Sequence, residues 1–388
     1  MKKYAVLGAG LMGRVVVKDI VEKAPDAQVT LIDINEALLK ELYNFIGQTK
    51  LKVCMLNVSD TTATASILRK HDVVISALPH RLSLPAIKAA IKACVSIVDL
   101  VGEAPEKRLA LHHEAENVGI TIIPGCGVAP GISNICVGRG VELLDETHEA
   151  IIYVGGLPKK KEPPLYYQTV YSLESVFDAY LRKARILRKG EIVEVEPMSG
   201  VEKINFPEPM GQLEAFYTDG LASLIVTMKG KISHHLAEKT LRYPGHRDRI
   251  KLLESCGMLE EKPVLINSHE ITPLDFLIKQ LSNVLKLSPD GDLLIMRIVI
   301  KGIKDGTSRT HTFELFDQFD PANQITAMAR TTAFPAVWAA RMITDKRINK
   351  KGVQFPEQIF STELFSEFIS AMRKNNIQIS HSINIHDF

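Results

Sequence analysis

Residues 4–13 read Tyr4-Ala5-Val6-Leu7-Gly8-Ala9-Gly10-Leu11-Met12-Gly13: an apolar run meets three glycines, and an amphipathic stretch carrying Leu11, Val15, Ile20 and Val21 follows. The run predicts a strand, the glycines a tight strand-to-helix turn, and the stretch behind them a helix. Each glycine has its own task. Gly8 permits the turn, Gly10 lets the backbone approach a pyrophosphate, and Gly13 lets helix and strand pack closely. The helix N-terminus supplies N–H donors and a positive dipole end, so the phosphates need no lysine. A second apolar run at 29–32 ends in Asp33, at the spacing expected of a carboxylate that accepts both ribose hydroxyls. The following Ile34-Asn35 offers no arginine to a 2′-phosphate. The expected cofactor is therefore NAD rather than NADP, held by Gly8, Gly10, Leu11, Met12, Gly13 and Asp33.

Outward from this motif, apolar runs at 52–56, 73–78, 96–101 and 120–124 alternate with helical patterns such as 38–46 and 86–93. Continuous Val/Ile/Leu runs separated by helices predict a parallel sheet covered on both faces, a doubly wound α/β domain of Rossmann type. Ligands of such sheets sit beyond the carboxyl ends of the strands. That places Ala77, Leu78, Pro79 and His80, then Asp99 and Glu103, then residues 125–130 at the cofactor crevice, with Ala77, Leu78, Pro79 and Asp99 as further cofactor contacts.

From about residue 148 the pattern changes to longer strands and hairpins, at 151–154, 192–195, 201–206, 213–218, 240–243, 293–303 and 309–316, with Lys304-Asp305-Gly306 as a hairpin turn. This predicts a second, α+β domain with an open, largely antiparallel sheet, and helices at 172–180, 246–256 and 272–285. The apolar stretch 325–342 is expected to return as a helix to the first domain. The division is thus 1–125 with about 325–350 for the nucleotide domain, 126–324 for a substrate and dimerisation domain, and 351–388 for a tail whose helix packs on the body.

A chain of 388 residues favours two domains over one. Its 47 basic and 45 acidic residues nearly cancel, which leaves no electrostatic footprint for nucleic acid or an anionic membrane. Lys159-Lys160-Lys161 is too short to change that and reads as a solvated loop. No apolar stretch reaches membrane-spanning length, and a cytosolic protein is expected. Five cysteines without a Cys-x-x-Cys pair fit reduced thiols rather than disulfides or zinc. The adjacent pairs His112-His113 and His234-His235 are expected to diverge, so no metal is expected.

The second half carries a set of phrases: Tyr153-Val154-Gly155-Gly156-Leu157-Pro158, Glu162-Pro163-Pro164-Leu165, Ser172-Leu173-Glu174, Leu213-Glu214-Ala215-Phe216 with Thr218-Asp219-Gly220, Arg242-Tyr243-Pro244-Gly245-His246, residues 330–336, and Gly352-Val353 with Pro356-Glu357. In this order they resemble the saccharopine dehydrogenase family, and the stretch after Glu162 reads closest to its lysine-oxidising members. The resemblance implies a homodimer and hydride transfer between NAD(P) and a nitrogen-bearing carbon of an amino acid. In the lysine-oxidising branch, oxidation at the ε-carbon releases ammonia and leaves 2-aminoadipate 6-semialdehyde, which cyclises.

Such a site must remove a proton from an amine whose ordinary pKa is about 10.4, because only the free lone pair can form the imine. Asp99 and His246 are the leading candidates for that base, with Asp219 third. Arg242 is the candidate for the substrate carboxylate, since a guanidinium pairs with it bidentately. Tyr243, Thr218, Gly155 and Gly156 join it as candidate substrate contacts, although strand alternation turns Arg242 and Tyr243 to opposite faces. Arg330 is expected at the domain interface. Tyr166 and Tyr171 read either as a lid or as packing against a partner subunit. Two rivals stand beside the lysine reading. A saccharopine dehydrogenase would need another cation, which Lys160, Arg182 or Arg185 would supply, and a non-catalytic NAD sensor would need neither base nor cation. A polyamine-imine reductase of the same family comes third.

Overall fold

A computed structural model describes residues 1–24, 26–46 and 51–386. The first unit runs β1 (Lys2–Leu7), α1 (Leu11–Lys23), β2 (Ala27–Asp33), α2 (Glu36–Ile46), β3 (Leu51–Met55), α3 (Thr61–Leu68), β4 (Val73–Ser76), α4 (His80–Ala93), β5 (Ser96–Asp99), α5 (Pro105–Leu109), α6 (His112–Asn117), β6 (Thr121–Ile123) and α7 (Ile132–Glu142). The second runs β7 (Glu146–Pro158), α8 (Leu173–Leu181), β8 (Ala184–Arg188), β9 (Glu191–Val195), β10 (Glu202–Asn205), β11 (Gln212–Tyr217), α9 (Leu224–Thr227), β12 (Ile232–Arg242), α10 (His246–Ser255), β13 (Val264–Ile266), β14 (His269–Ile271), α11 (Pro273–Val284), β15 (Asp292–Lys304) and β16 (Thr307–Gln318). The chain closes with α12 (Ala327–Thr344), β17 (Gly352–Val353), α13 (Pro356–Ile359), α14 (Phe365–Lys374) and β18 (Ile379–His386).

The first sheet is parallel throughout, in the order β17-β6-β5-β4-β1-β2-β3. Strand order reverses between β1 and β4, which opens the ligand crevice above their carboxyl ends. Val73–Ser76 is buried at every position, as a strand covered on both faces must be. The second sheet runs β10-β11-β12-β7-β15-β16-β18, with the β8–β9 hairpin on the side of β12. Its pairs are antiparallel except β12 with β7. The sequence reading therefore describes both sheets correctly in kind.

The differences lie at strand ends and in the tail. β12 begins at Ile232, well before the expected 240, because the polar Ser233-His234-His235 hides the start of an otherwise alternating strand. The tail is more than a packed helix. Its first residues pair with β6, and its last strand lies along β16. Residues 379–386 alternate apolar and polar side chains, a strand signal present in the sequence but not read as one.

Helix α12 lies between the two sheets. It packs on α1, β4 and β5 on one side and on β15 and β16 on the other. Its first turn is held from the second domain: both carboxylate oxygens of the fully buried Asp292 accept N–H bonds, from Ala327 at 2.7 Å and Met328 at 2.9 Å. A carboxylate there satisfies helix donors that would otherwise be orphaned and complements the dipole. One turn on, the buried Arg330 forks onto both oxygens of Asp317 and onto the Gln318 carbonyl, so the expected interface role of Arg330 is what the structure shows. Toward its C-terminus Arg341 reaches Asp19 of α1 at 2.8 Å.

Removing Asp317 leaves the buried Arg330 guanidinium with only its longer carboxylate contact, to Asp320 at 3.5 Å. Asp317→Ala is expected to lower unfolding stability by about 3–5 kcal/mol, and the double change Asp317→Leu with Arg330→Met to recover most of it. Denaturant titration of the three proteins measures both values.

Candidate active site

The crevice between β1 and β4 is shaped by backbone. Gly8 has φ of 101°, and a Cβ there would lie 2.6 Å from the carbonyl oxygen of Ala77; a Cβ on Gly13 would lie 1.8 Å from that of Gly8. Gly10 has open space in front of it, and α1 starts at the exposed Leu11 with no side-chain cap. Uncapped N–H groups, an unobstructed glycine and a carboxylate beyond them fit a dinucleotide. Asp33 closes this loop: its oxygens accept from the Ala9 N–H at 2.7 Å and the Asn35 N–H at 2.8 Å. Leu78 lies under Gly8, and Pro79 stands at the start of α4.

The inner side of the second sheet approaches the carboxyl end of β5, where Ala222 touches Gly102. Glu238, Thr240 and Arg242 alternate onto that face of β12, beside Phe216 of β11 and Gly156 of β7. Arg242 is buried and donates from Nε to the Tyr180 hydroxyl at 2.7 Å and from Nη1 to the Leu241 carbonyl at 2.9 Å, with its guanidinium 5.0 Å from the ring centre of Tyr167. Behind it stands His246. A carbonyl can only accept, so Nδ1 carries the proton donated to the Leu165 carbonyl at 2.8 Å, and Nε2 accepts from the Tyr180 hydroxyl at 3.0 Å. Burial, then Arg242, pushes the His246 pKa down to about 3, so this neutral tautomer persists at working pH.

Glu238 occupies the other end of the row. Its carboxylate accepts from the Thr218 hydroxyl and, at 3.3 Å, from that of Thr240. It is 3% exposed, and burial pushes its pKa up to about 8 against the opposing effect of these bonds and of Arg242. Gly220 is pressed against it: a Cβ there would lie 2.5 Å from Oε2. Two residues on, Ala222 touches Gly102 beyond the end of β5. Glu103, next to Gly102, buries Oε2 with no hydrogen-bond partner, and Tyr171 stands within electrostatic reach of Glu103, Glu238 and Arg242. Arg108 lies within electrostatic reach of Glu103, and its own Nε is likewise buried without a partner.

Several sequence candidates are placed elsewhere. Asp99 is fully buried at the carboxyl end of β5, held by Ser83, the Val101 N–H and Arg108. Asp219 is tied by Arg182 Nε at 3.1 Å and the Arg185 N–H at 3.3 Å. His246 has both nitrogens engaged and acts on Arg242 through Tyr180. Tyr243 turns to the outer face, where its hydroxyl donates to the Pro158 carbonyl at 2.9 Å, and Gly155 faces that side too, against Leu241. Thr218, Gly156 and Arg242 remain on the inner face. Glu238 and Tyr180 were missed. The signal for Glu238 was a lone acid at the same strand parity as Arg242 in Leu236-Ala237-Glu238-Lys239-Thr240-Leu241-Arg242. His112 and His113, expected to diverge, converge on Glu116 at 3.3 and 3.1 Å. However, the Val353 N–H donates to His112 Nδ1, so the ring proton sits on Nε2 toward Glu116, an arrangement of hydrogen bonds rather than of metal ligands.

If His246 only positions, His246→Leu is expected to destabilise the fold by about 2–4 kcal/mol, because the Tyr180 hydroxyl and Leu165 carbonyl lose their partner. It should raise KM while leaving the shape of the pH–kcat profile intact; a profile that lost its rise on the acid side would restore His246 as the base.

Residues 4–123 match the family model described as the saccharopine dehydrogenase NADP binding domain, and residues 127–377 match the saccharopine dehydrogenase C-terminal domain. The chain is 25% identical to the NADP(+), L-glutamate-forming saccharopine dehydrogenase of Saccharomyces cerevisiae, over 92% of this chain and 94% of that protein. It is 23% identical to the mitochondrial alpha-aminoadipic semialdehyde synthase of Rattus norvegicus over 97% of this chain, and spans 47% of that longer protein. The fold superposes on that of the yeast saccharopine dehydrogenase without ligand with a TM-score of 0.82 at 21% identity, covering 99% of this chain and 100% of that one. With both family models matched in sequence order across nearly its whole length, the chain belongs to the saccharopine dehydrogenase family of nicotinamide-dependent oxidoreductases acting on carbon–nitrogen bonds.

Proposed function

We propose that the chain oxidises the ε-amino carbon of L-lysine with NAD, releasing ammonia and 2-aminoadipate 6-semialdehyde. The observation that carries this reading is the balance of charge around β12. Arg242 has no carboxylate within ion-pair distance among the described residues, while Glu238 and Glu103 are two buried or half-buried acids nearby. Glu103 has the buried Arg108 within electrostatic reach, so the uncompensated pair is one cation, Arg242, and one acid, Glu238, which complement the carboxylate and the ε-amine of lysine. Saccharopine brings three carboxylates. The cations that would serve them are engaged elsewhere: Lys160 with Asp290 at 2.7 Å, Arg182 with Asp178 and Asp219, and Arg185 with Glu106 at 2.8 Å.

The bound nicotinamide would accept the hydride. The chain's own residues fix the substrate carboxylate at Arg242, exclude water with the Tyr167, Tyr171 and Tyr180 rings, and hold the leaving nitrogen near an acid. Favouring NAD over NADP is Asp33, whose negative charge opposes a 2′-phosphate. The rival reading, saccharopine with NADP, draws on the names of the yeast relative and of the matched nucleotide domain.

The two readings separate in one assay. NADH formation followed by absorbance should appear with L-lysine and NAD and be absent with saccharopine; the reverse, with NADP, would establish the rival. Asp33→Ala is expected to weaken NADH binding about tenfold or more, equal to at least about 1.4 kcal/mol, and to leave NADPH binding no weaker. Fluorescence titration reads both, and an unchanged NADH affinity refutes the ribose contact.

A further inference from the structure

We propose that β12 measures its substrate: Arg242 grips the carboxylate end, and Glu238, four residues earlier on the same face, takes the proton from the amine that is oxidised. This rests on the amine-oxidising reading above and adds to it a base and a determinant of chain length. Four residues of extended strand set the two Cα atoms about 13 Å apart. Thr240 stands between them on the same face, and charged heads held at that spacing would bracket an extended lysine. The ends of the row are unequal in a way that orients the substrate. Glu238 lies against Gly220, Gly220 leads to Ala222, and Ala222 touches Gly102 at the carboxyl end of β5. Arg242 lies at the far end, among Tyr167 and Tyr180. The carbon next to the amine held by Glu238 is therefore the one that faces the cofactor crevice.

In the forward direction the ε-ammonium gives a proton to Glu238. The freed lone pair forms the C=N bond as hydride leaves the ε-carbon with its electron pair for NAD. Glu238 then passes its proton to solvent and takes another from the water that adds to the iminium carbon, and ammonia departs. In total, lysine cation, NAD⁺ and water give aldehyde, NADH, ammonium and one proton. The groups facing Glu238 agree with this use. Thr218 and Thr240 donate to it and Arg242 favours its charged form, while Asp219, beyond the end of β11, opposes that form; Tyr171 and Tyr180 border the same space. A carboxyl titrating near 8 is protonated and idle below that pH and an acceptor above it, so kcat/KM should rise with pH through about 8.

The test compares wild type, Glu238→Gln and Glu238→Asp with L-lysine, L-ornithine and saccharopine, each with NAD and NADP across pH. NADH affinity and circular dichroism serve as checks on the fold. Glu238→Gln should lose about 100-fold or more in kcat and the rise near pH 8, with NADH affinity unchanged; Glu238→Asp should keep the rise and part of the rate. L-ornithine, one methylene shorter, should be a far poorer substrate than L-lysine. A wild-type-like kcat and pH profile in Glu238→Gln overturns the base, and equal use of ornithine and lysine overturns the ruler. If the wild type oxidises saccharopine but not lysine, the lysine reading and the ruler fail together. Glu238 is then judged on saccharopine, whose secondary amine must also lose a proton: the same loss in Glu238→Gln supports it and no loss overturns it. A wild type inert with all three amines overturns both proposals.

Discussion

The geometry of this molecule depends on how the first turn of α12 is held. Asp292, at the start of β15, lends both carboxylate oxygens to that turn, and Arg330 returns the contact by clasping Asp317 at the end of β16. The other flank of the helix lies on α1, whose N-terminus follows the glycine turn. One helix thus fixes the distance between the glycine loop and the second sheet. Because these bonds are buried, they act in a medium of low effective dielectric and resist shear between the layers.

That rigidity places the burden of access on loops. The 159–172 segment carries Tyr166, Tyr167 and Tyr171, and it covers the row formed by Glu238, Thr240 and Arg242. Tyr166 adopts φ of 54° and stacks under Arg249, with 3.7 Å between the guanidinium carbon and the ring centre. The domains are joined through one apolar core that runs from Val16 and Ile20 through Ala333 and Phe334 to Ile152 and Met296.

Much of the fold was legible because it rests on periodicity. Buried parallel strands read as unbroken Val/Ile/Leu runs, and the cofactor turn reads as glycines whose spacing follows from sterics. Short or polar-flanked strands such as β8, β17 and the start of β12 did not show, since their pairing is decided by distant neighbours rather than by their own residues. At the candidate site, Arg242 and Thr218 were picked out from the sequence and Glu238 was not. A candidate acid was sought at strand ends and in motifs, and Asp99, Asp219 and His246 all occupied such places. Their partners, Arg108, Arg182 and Tyr180, come from other elements, and only the tertiary structure shows that those three are already engaged.

The pleat of β12 carries one last implication. Side chains return to the same face of a strand only every second residue, so the backbone offers attachment points in steps of roughly 6–7 Å. A site whose two anchors share one strand is graduated coarsely by its main chain and finely only by the length of the side chains themselves. Relatives built on this scaffold would reach substrates of intermediate length by exchanging glutamate for aspartate or arginine for lysine, and substrates of a different size class by moving an anchor two positions along.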